Sequence, residues 1–148
     1  MNNEPARALL RSPRETLGGY AILPRLIDKV RLHAKGQLPA DYIPQLLAPE
    51  PALDGRLLAF TGLDADRLRD AILSTRTDAA VLAWVERHAH PHSDSEKRAW
   101  AQEIDAYRPS PDRVHLRMER YPEVAAQVDV GAISVFDVID LDEGRLPG

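Results

Sequence analysis

The chain contains no cysteine in its 148 residues, which excludes disulfide bonds, thiolate nucleophiles and cysteine-ligated zinc or iron–sulfur sites. It also has no apolar run long enough to span a membrane. The opening residues MNNEPARALLRSPRE lack an apolar segment that could serve as a signal peptide. We therefore expect a cytoplasmic protein with no membrane partner.

An excess of positive charge is missing as well. The formal net charge is −4 and the isoelectric point is near 5.7. Non-specific binding of nucleic acid requires a surface that neutralises phosphates, so this balance disfavours nucleic acid as a partner. The length and the 44% hydrophobic content are ordinary for one compact globular domain, which we assign to residues 1–148.

Strand-like alternation is scarce, whereas apolar residues recur at the helical period along most of the chain. We predict an all-α domain of about six helices. Residues 1–10 are expected to be flexible, and residues 37–54, which hold four prolines, to form an irregular connection. Proline and capping residues predict helix starts at Pro24, Asp64, Thr77 or Asp78, Ser93, Ser110 and Ser134. The predicted core comprises Leu23, Leu26, Ile27, Val30, Leu68, Ile72, Val81, Val85, Trp100, Ile104, Val114, Met118, Phe136 and Ile139, and Tyr107 and Tyr121 are also expected to face inward.

One segment, RSPRETLGGYAILPRLIDKVR over residues 11–31, concentrates basic side chains, two adjacent glycines and a tyrosine before the first predicted helix. Free N–H groups at a helix start attract anions, and glycine lets a ligand approach the backbone. The segment is neither a Walker loop nor a dinucleotide fingerprint, because it lacks Gly-Lys-Ser/Thr and no strand precedes it. We predict an anion- or partner-binding region formed by Arg11, Arg14, Gly18, Gly19, Tyr20, Arg25, Asp28 and Lys29.

The two ends of the chain carry opposite charge, which leaves a second interpretation open. Residues 1–35 hold seven basic and three acidic side chains, and residues 122–148 hold one basic and six acidic side chains. The arginines could therefore pair with Asp28 or with the acidic tail, rather than with a ligand. A partner chain, including a second copy in a homodimer, could also supply the acidic groups.

Metal chemistry is weakly supported. Three histidines alternate in HAHPH, at His88, His90 and His92, but they fall at a predicted helix end and match no zinc signature. Asp137 and Asp140 share a helix side in DVIDLDEGR, without the alternating ligands of a calcium loop. We predict no metal site and no cofactor.

A basic row lies further along the chain. Arg113, Arg117 and Arg120 line one side of the fifth predicted helix, where they could contact nucleic acid. Glu119 interrupts this row, and the overall charge is unfavourable for such a partner.

Four segments together carry a family resemblance: RSPRETLGGYAILPRLIDKVR, LDGRLLAFTGLDADRL, TDAAVLAWV and FDVIDLDEGR. They resemble an uncharacterised bacterial family of small cytoplasmic proteins, a domain of unknown function. The resemblance implies no reaction, ligand or catalytic residue. Both the basic opening and the acidic ending belong to its pattern, which fits a contact between them in space.

We therefore expect a non-enzymatic binding or regulatory module whose basic opening binds an anionic small molecule or an acidic protein surface. The arginines would supply bidentate contacts, and Tyr20 a stacking face. The alternative is a small enzyme acting on an anionic substrate, with Asp28, Asp137 or Asp140 as the acid/base group. An enzyme requires a concave pocket in which a carboxylate of shifted pKa lies beside the arginines.

Overall fold

The computed structural model describes residues 9–145, which form one compact and mostly helical domain. The elements, in chain order, are β1 (Thr16–Leu17), β2 (Tyr20–Ala21), α1 (Leu23–Ala34), a 3-10 helix (Ala40–Gln45), α2 (Leu53–Thr61), α3 (Ala65–Leu73), α4 (Asp78–His88), α5 (Asp94–Ala106), a second 3-10 helix (Pro111–Arg113), α6 (Val114–Arg120), α7 (Pro122–Ala125) and α8 (Val135–Asp142). The prediction of a helical domain is confirmed in this coarse form. The domain is not strictly all-α, and the described part contains more helices than the six predicted.

Capping side chains fix most helix starts where the sequence predicts them. Asp64, Thr77 and Ser134 each accept a hydrogen bond from a backbone N–H in the first turn of α3, α4 and α8. Ser93 and Glu96 form a reciprocal capping box at the start of α5. Each such cap satisfies N–H groups that have no partner within the helix and contributes about 1 kcal/mol.

The β-hairpin is the first departure from the prediction. β1 and β2 pair antiparallel, with Thr16 opposite Ala21 and Leu17 opposite Tyr20. Gly18 and Gly19 form the two-residue turn, with φ angles of 58° and 84°. Such turns favour glycine because both central residues need positive φ. Strands of two residues are too short for alternation to indicate them, which is why the sequence gives no strand signal here.

Helix α2 is the second departure. Its N-cap, Ala52, provides no side-chain hydrogen bond, and the prolines of the preceding stretch mask its start. Gly62 ends it in the left-handed conformation, with φ 73°. The predicted irregular connection over residues 37–54 contains the first 3-10 helix and a cis Glu50–Pro51 peptide bond before α2 begins.

The main core surrounds α1. Most of the predicted core residues are buried: Leu23, Leu26, Ile27, Val30, Leu68, Ile72, Val81, Val85, Ile104, Phe136 and Ile139. Trp100 is partly buried and packs against this core. Val114 is also partly buried and packs against a second cluster, formed by Val124, Val130 and Val138. Residues 1–8 of the predicted flexible segment lie outside the described residues, and Leu10 is buried beside Leu38 and Tyr42.

The inward orientation of Met118 and Tyr107 is wrong, since their exposures are 50% and 46%. The predicted fifth helix is divided into a 3-10 turn and the seven-residue helix α6, in which no residue is fully buried. Tyr107 is the C-cap of α5 with ψ 135°, so its side chain leaves the face that the helical period assigns to it. Among residues 9–145, no helix has the length and apolar character needed to cross a bilayer.

Candidate functional site

The predicted glycines and tyrosine lie in the β-hairpin. A Cβ atom added to Gly18 would overlap the Leu82 side chain, and Gly18 O accepts a 2.8 Å hydrogen bond from Lys97 Nζ. The Tyr20 ring is 2% exposed, and Lys97 Nζ lies 4.3 Å from its centroid. Turn geometry and packing account for Gly18 and Gly19, and the buried Tyr20 ring offers little surface to a ligand.

Arg11 lies between two carboxylates. Its Nη2 is 2.9 Å from Asp28 Oδ1, and its Nη1 is 2.6 Å from Asp78 Oδ2. Hydrogen bonds to Asp28 and Asp78 raise the pKa of Arg11, and the same contact lowers the pKa of Asp78. Asp28, one of the candidate acid/base groups, therefore serves as the counter-ion of an arginine.

Arg14 joins the opening segment to two other elements at the protein surface. Its Nη2 is 2.9 Å from Asp105 Oδ1 in α5 and 2.6 Å from Asp137 Oδ1 in α8. Asp137, another candidate acid/base group, is thus paired as well. The third candidate, Asp140, accepts hydrogen bonds from Ser12 Oγ at 2.9 Å and Arg145 Nη1 at 2.9 Å.

Arg25 and Glu143 form a buried, bidentate ion pair, with exposures of 5% and 1%. The two guanidinium nitrogens are 2.9 and 2.6 Å from the two carboxylate oxygens. The Tyr42 hydroxyl donates a 2.6 Å hydrogen bond to Glu143 Oε2, and Arg145 Nη1 donates to Oε1. Arg145 also donates to Leu10 O. Residues near both ends of the described chain therefore meet at one buried carboxylate.

Lys29 is buried one helical turn beyond Arg25, on the same side of α1. Its Nζ is 2.8 Å from Asp54 Oδ1, and Asp54 Oδ2 accepts a 2.9 Å hydrogen bond from Leu47 N. This pair ties α1 to the start of α2. All four cations of the predicted binding region, Arg11, Arg14, Arg25 and Lys29, are therefore paired with carboxylates.

A cavity of about 260 Å³ opens beside the two buried pairs. Of the predicted site residues, only Arg25 and Lys29 line it; Arg11, Arg14, Gly18, Gly19, Tyr20 and Asp28 do not. The other charged and aromatic lining residues are Asp41, Tyr42, Asp54, Arg56, Tyr107, Arg117, Arg120, Tyr121, Asp142 and Glu143.

Three of the lining arginines, here called the rim arginines, are Arg56, Arg117 and Arg120. Arg56 Cζ lies over the Tyr107 ring at 5.8 Å, and Arg120 Cζ lies over the Tyr121 ring at 5.6 Å. Within residues 9–145, no rim arginine forms an ion pair.

The other hydrogen-bond partners of the rim arginines within residues 9–145 are backbone carbonyl groups. Arg117 Nη1 donates to Val130 O at 2.7 Å and to Ile133 O at 2.8 Å. Arg120 Nη2 donates to Asp41 O at 3.3 Å. The rim arginines are thus oriented by neutral groups, which hold a guanidinium in place without cancelling its charge.

The floor of the cavity is formed by the two buried ion pairs, Arg25–Glu143 and Lys29–Asp54, and by Tyr42. Several of these groups have shifted pKa values. Burial opposes ionisation of Glu143, but its contacts with Arg25, Tyr42 and Arg145 together outweigh burial and keep its pKa below the ordinary value. Burial and the hydrogen bond to Glu143 raise the pKa of Tyr42. Burial lowers the pKa of Lys29, and Asp54 compensates only in part. Burial also lowers the pKa of Arg117 at the rim.

Most residues that line this cavity were not predicted from the sequence, although the sequence does contain a pattern that includes two of them. The basic row in the fifth predicted helix includes Arg117 and Arg120, and its interpretation considered only nucleic acid. Arg56 lies in a helix that had no visible start signal. Tyr107 and Tyr121 were both predicted to face inward. Tyr107 is exposed, Tyr121 is partly buried against the second cluster, and both line the cavity.

The three histidines are separate from the cavity. His88 Nδ1 is 2.8 Å from Trp84 O, and the His92 ring stacks on Phe60 at 3.8 Å between centroids. The His90 ring packs against Gly62. In the part of the chain that the structure describes, no group of three or more histidine or acidic side chains could hold a metal ion.

Comparison with known proteins gives a family but no activity. A family model described as "Domain of unknown function (DUF5069)" matches residues 7–145. No curated protein matches the chain. The match bears out the resemblance to a domain of unknown function, while the bacterial origin and the specific motifs stay predictions. Because the family model spans almost the whole chain, this protein belongs to the DUF5069 family.

Proposed function

We propose that this domain binds an anionic small molecule in the cavity between α1, α2, α6 and α8. The observation that carries the proposal is the contrast between two sets of arginines. The arginines of the opening segment are neutralised by carboxylates, whereas the rim arginines are held by tyrosine rings and backbone carbonyls.

The charge balance of the cavity supports an anionic ligand. Five basic and four acidic side chains line it. The pairs Arg25–Glu143 and Lys29–Asp54 cancel two charges of each sign. Beyond these pairs, the lining holds the three rim arginines and two aspartates, Asp41 and Asp142, so arginines outnumber aspartates. Guanidinium groups are well suited to carboxylate or phosphate, because their planar N–H donors match two oxygens at once.

The concave shape favours a small molecule over an acidic protein surface. A bound small molecule is typically enclosed over most of its surface, and clefts with convergent polar groups are where such ligands bind. Of the two partners that the sequence analysis considered, the proposal therefore favours the anionic small molecule over the acidic protein surface. The cytoplasmic and bacterial setting, and the homodimer, stay predictions.

The alternative of a small enzyme receives less support from the cavity. Glu143 has a shifted pKa beside Arg25, as an enzyme would need, but the shift is downward. A carboxylate of lowered pKa is a weak base at neutral pH, whereas general acid/base catalysis needs a pKa near the working pH. Glu143 is better suited to anchoring Arg25 and Tyr42 than to moving protons.

The proposal is tested by thermal unfolding of the wild type and of the Arg56→Gln/Arg120→Gln double variant. The probes are phosphate, a nucleoside monophosphate, and aliphatic and aromatic carboxylates. At about a hundred times its dissociation constant, a ligand should raise the wild-type Tm by roughly 5 °C or more. The double variant should show a much smaller rise, because its rim has lost two charges.

Arg69→Gln provides the matched control, since Arg69 is an exposed arginine of α3 outside the cavity lining. It should respond to the same anions as the wild type does. The proposal fails if no anion raises the wild-type Tm, or if the double variant is stabilised as strongly as the control.

A further inference from the structure

We infer that the ligand is an amphiphilic organic anion: a compact apolar body, of the size of one aromatic ring, that carries a single carboxylate or phosphate group. The inference rests on the proposed function, since it assumes that the cavity is the binding site. Beyond the proposed function, it assigns the apolar body of the ligand to the aliphatic part of the cavity lining and the anionic group to the rim arginines.

The apolar body is inferred from the cavity wall. Seven lining residues are aliphatic or proline: Ile22, Pro51, Ala52, Leu53, Ile104, Val135 and Ile139. Ile22, Ile104 and Ile139 are buried and come from three different parts of the fold, at the start of α1, in α5 and in α8. Of the seven, Pro51 is exposed and Ala52, Leu53 and Val135 are partly buried. A hydrated inorganic anion would leave the accessible apolar surface of these four residues in contact with water, whereas a hydrocarbon body would cover it.

The anionic group is assigned to the rim. On the floor, Arg25 already holds both oxygens of Glu143, and Lys29 already bonds to Asp54. A second anionic group there would lie beside the buried carboxylates Glu143 and Asp54, which repel it. The rim arginines have no such carboxylate partner within residues 9–145.

The size of the cavity limits the body. The cavity volume is about 260 Å³. It lies just below the range of about 300–1,000 Å³ that is typical for sites of drug-sized ligands. A single ring with a short anionic side chain fits a space of this volume, whereas a dinucleotide would extend beyond it.

The inference is tested by calorimetric titration of the wild type with matched probes. Acetate and phenylacetate differ by a ring, as do phosphate and phenyl phosphate, and phenylacetamide is the neutral counterpart of phenylacetate. We expect the ring to tighten binding by at least about tenfold in one or both pairs. Phenylacetamide should bind at least about tenfold more weakly than phenylacetate, because its head group carries no charge for the rim arginines.

Two variants separate the head group from the body. Arg56→Gln/Arg120→Gln should weaken phenylacetate and phenyl phosphate by about tenfold or more. Val135→Thr keeps the side-chain shape but places a hydroxyl in the apolar wall, so it should weaken the ring-bearing probes several-fold. Val128→Thr, at a partly buried valine outside the cavity lining, is the matched control and should bind all probes like the wild type.

Each outcome has a distinct meaning. If neither ring-bearing probe binds more tightly than its ring-free counterpart, while acetate or phosphate loses affinity in the double arginine variant, the amphiphilic ligand is wrong and anion binding stands. If phenylacetamide binds as tightly as phenylacetate, the assignment of the anionic group to the rim is wrong. If no probe binds the wild type at millimolar concentration, both the inference and the proposed function fail.

Discussion

At the scale of single residues, the buried carboxylate of Glu143 depends most strongly on its hydrogen-bond partners. It is 1% exposed and accepts hydrogen bonds from Arg25, Tyr42 and Arg145. Removing a carboxylate from water is costly, and only close donors on both oxygens offset that cost. The net contribution of such a cluster to stability is modest, but the loss of its central anion leaves buried cations without compensation.

Glu143→Gln should therefore lower the free energy of unfolding by about 3–5 kcal/mol at pH 7. Tyr42→Phe removes one donor while the guanidinium contacts of Glu143 remain, so its cost should be about 1–2 kcal/mol. Urea unfolding of both variants measures the difference. Equal costs for the two variants would contradict a cluster centred on the carboxylate.

The pH dependence of this effect has a defined sign. The pKa of Glu143 is lower in the folded protein than its ordinary value of 4.5. Its stabilising contribution is then complete above about pH 5, and it declines as the pH falls through the unfolded and then the folded pKa. The difference in stability between wild type and Glu143→Gln should shrink over that range. A difference that grows as the pH falls below 4.5 would contradict the assignment.

At the scale of elements, the β-hairpin shows why two glycines stand together before α1. Gly18 has φ 58° and no room for a side chain beside Leu82. Gly36, after α1, has φ 69°, and nothing lies within 4 Å of an added Cβ atom. The two positions share the left-handed conformation and differ in their packing. Comparing them therefore separates the energetic cost of the backbone conformation from the cost of steric overlap.

Gly36→Ala should cost about 1 kcal/mol, the usual penalty for a side chain in this conformation. Gly18→Ala should cost roughly 2–4 kcal/mol, because the overlap with Leu82 adds to the same penalty. Thermal unfolding of both variants, and of Gly18→Ala combined with Leu82→Ala, measures the two terms. The steric explanation fails if Gly18→Ala costs no more than Gly36→Ala.

The elements also show which local signals are sufficient. The caps at Asp64, Thr77, Ser93 and Ser134 predict their helices correctly, because each cap acts on backbone groups within the next three residues. Helix α2 has no capping side chain, and it is stabilised by the packing of Leu57 into the main core. A helix that depends on tertiary contacts in this way leaves little trace in its own sequence.

At the scale of the whole molecule, ion pairs join the two ends of the described chain. Arg14 meets Asp137, and Arg25 meets Glu143. The first pair lies at the surface, where water and salt weaken attraction between charges. The second is enclosed, where screening by salt is much weaker and an unpaired charge is costly.

Arg14→Gln should thus lower the free energy of unfolding by less than about 1 kcal/mol, with the effect disappearing near 1 M sodium chloride. Arg25→Gln should cost about 3–5 kcal/mol and keep most of that cost in salt. Urea unfolding at low and high salt compares the two variants. Loss of the Arg25 effect in salt would show that this pair is open to solvent.

The sequence by itself determined the helical character, most of the core and the opposed charges of the chain ends. These features depend on periodicity, capping and composition, which act over a few neighbouring residues or over the whole chain at once. Within residues 9–145, the predicted all-α class is corrected by a hairpin whose strands have two residues each.

Only the tertiary structure decided which cations are neutralised and which line a cavity. Arg25 and Glu143 are 118 positions apart, and no local pattern specifies their contact. Arg56 and Arg117 come from helices far apart in the chain, yet they line the same cavity. Charge separations of a few ångströms determine whether an arginine is a structural counter-ion or a ligand donor, and those separations exist only once the helices have packed.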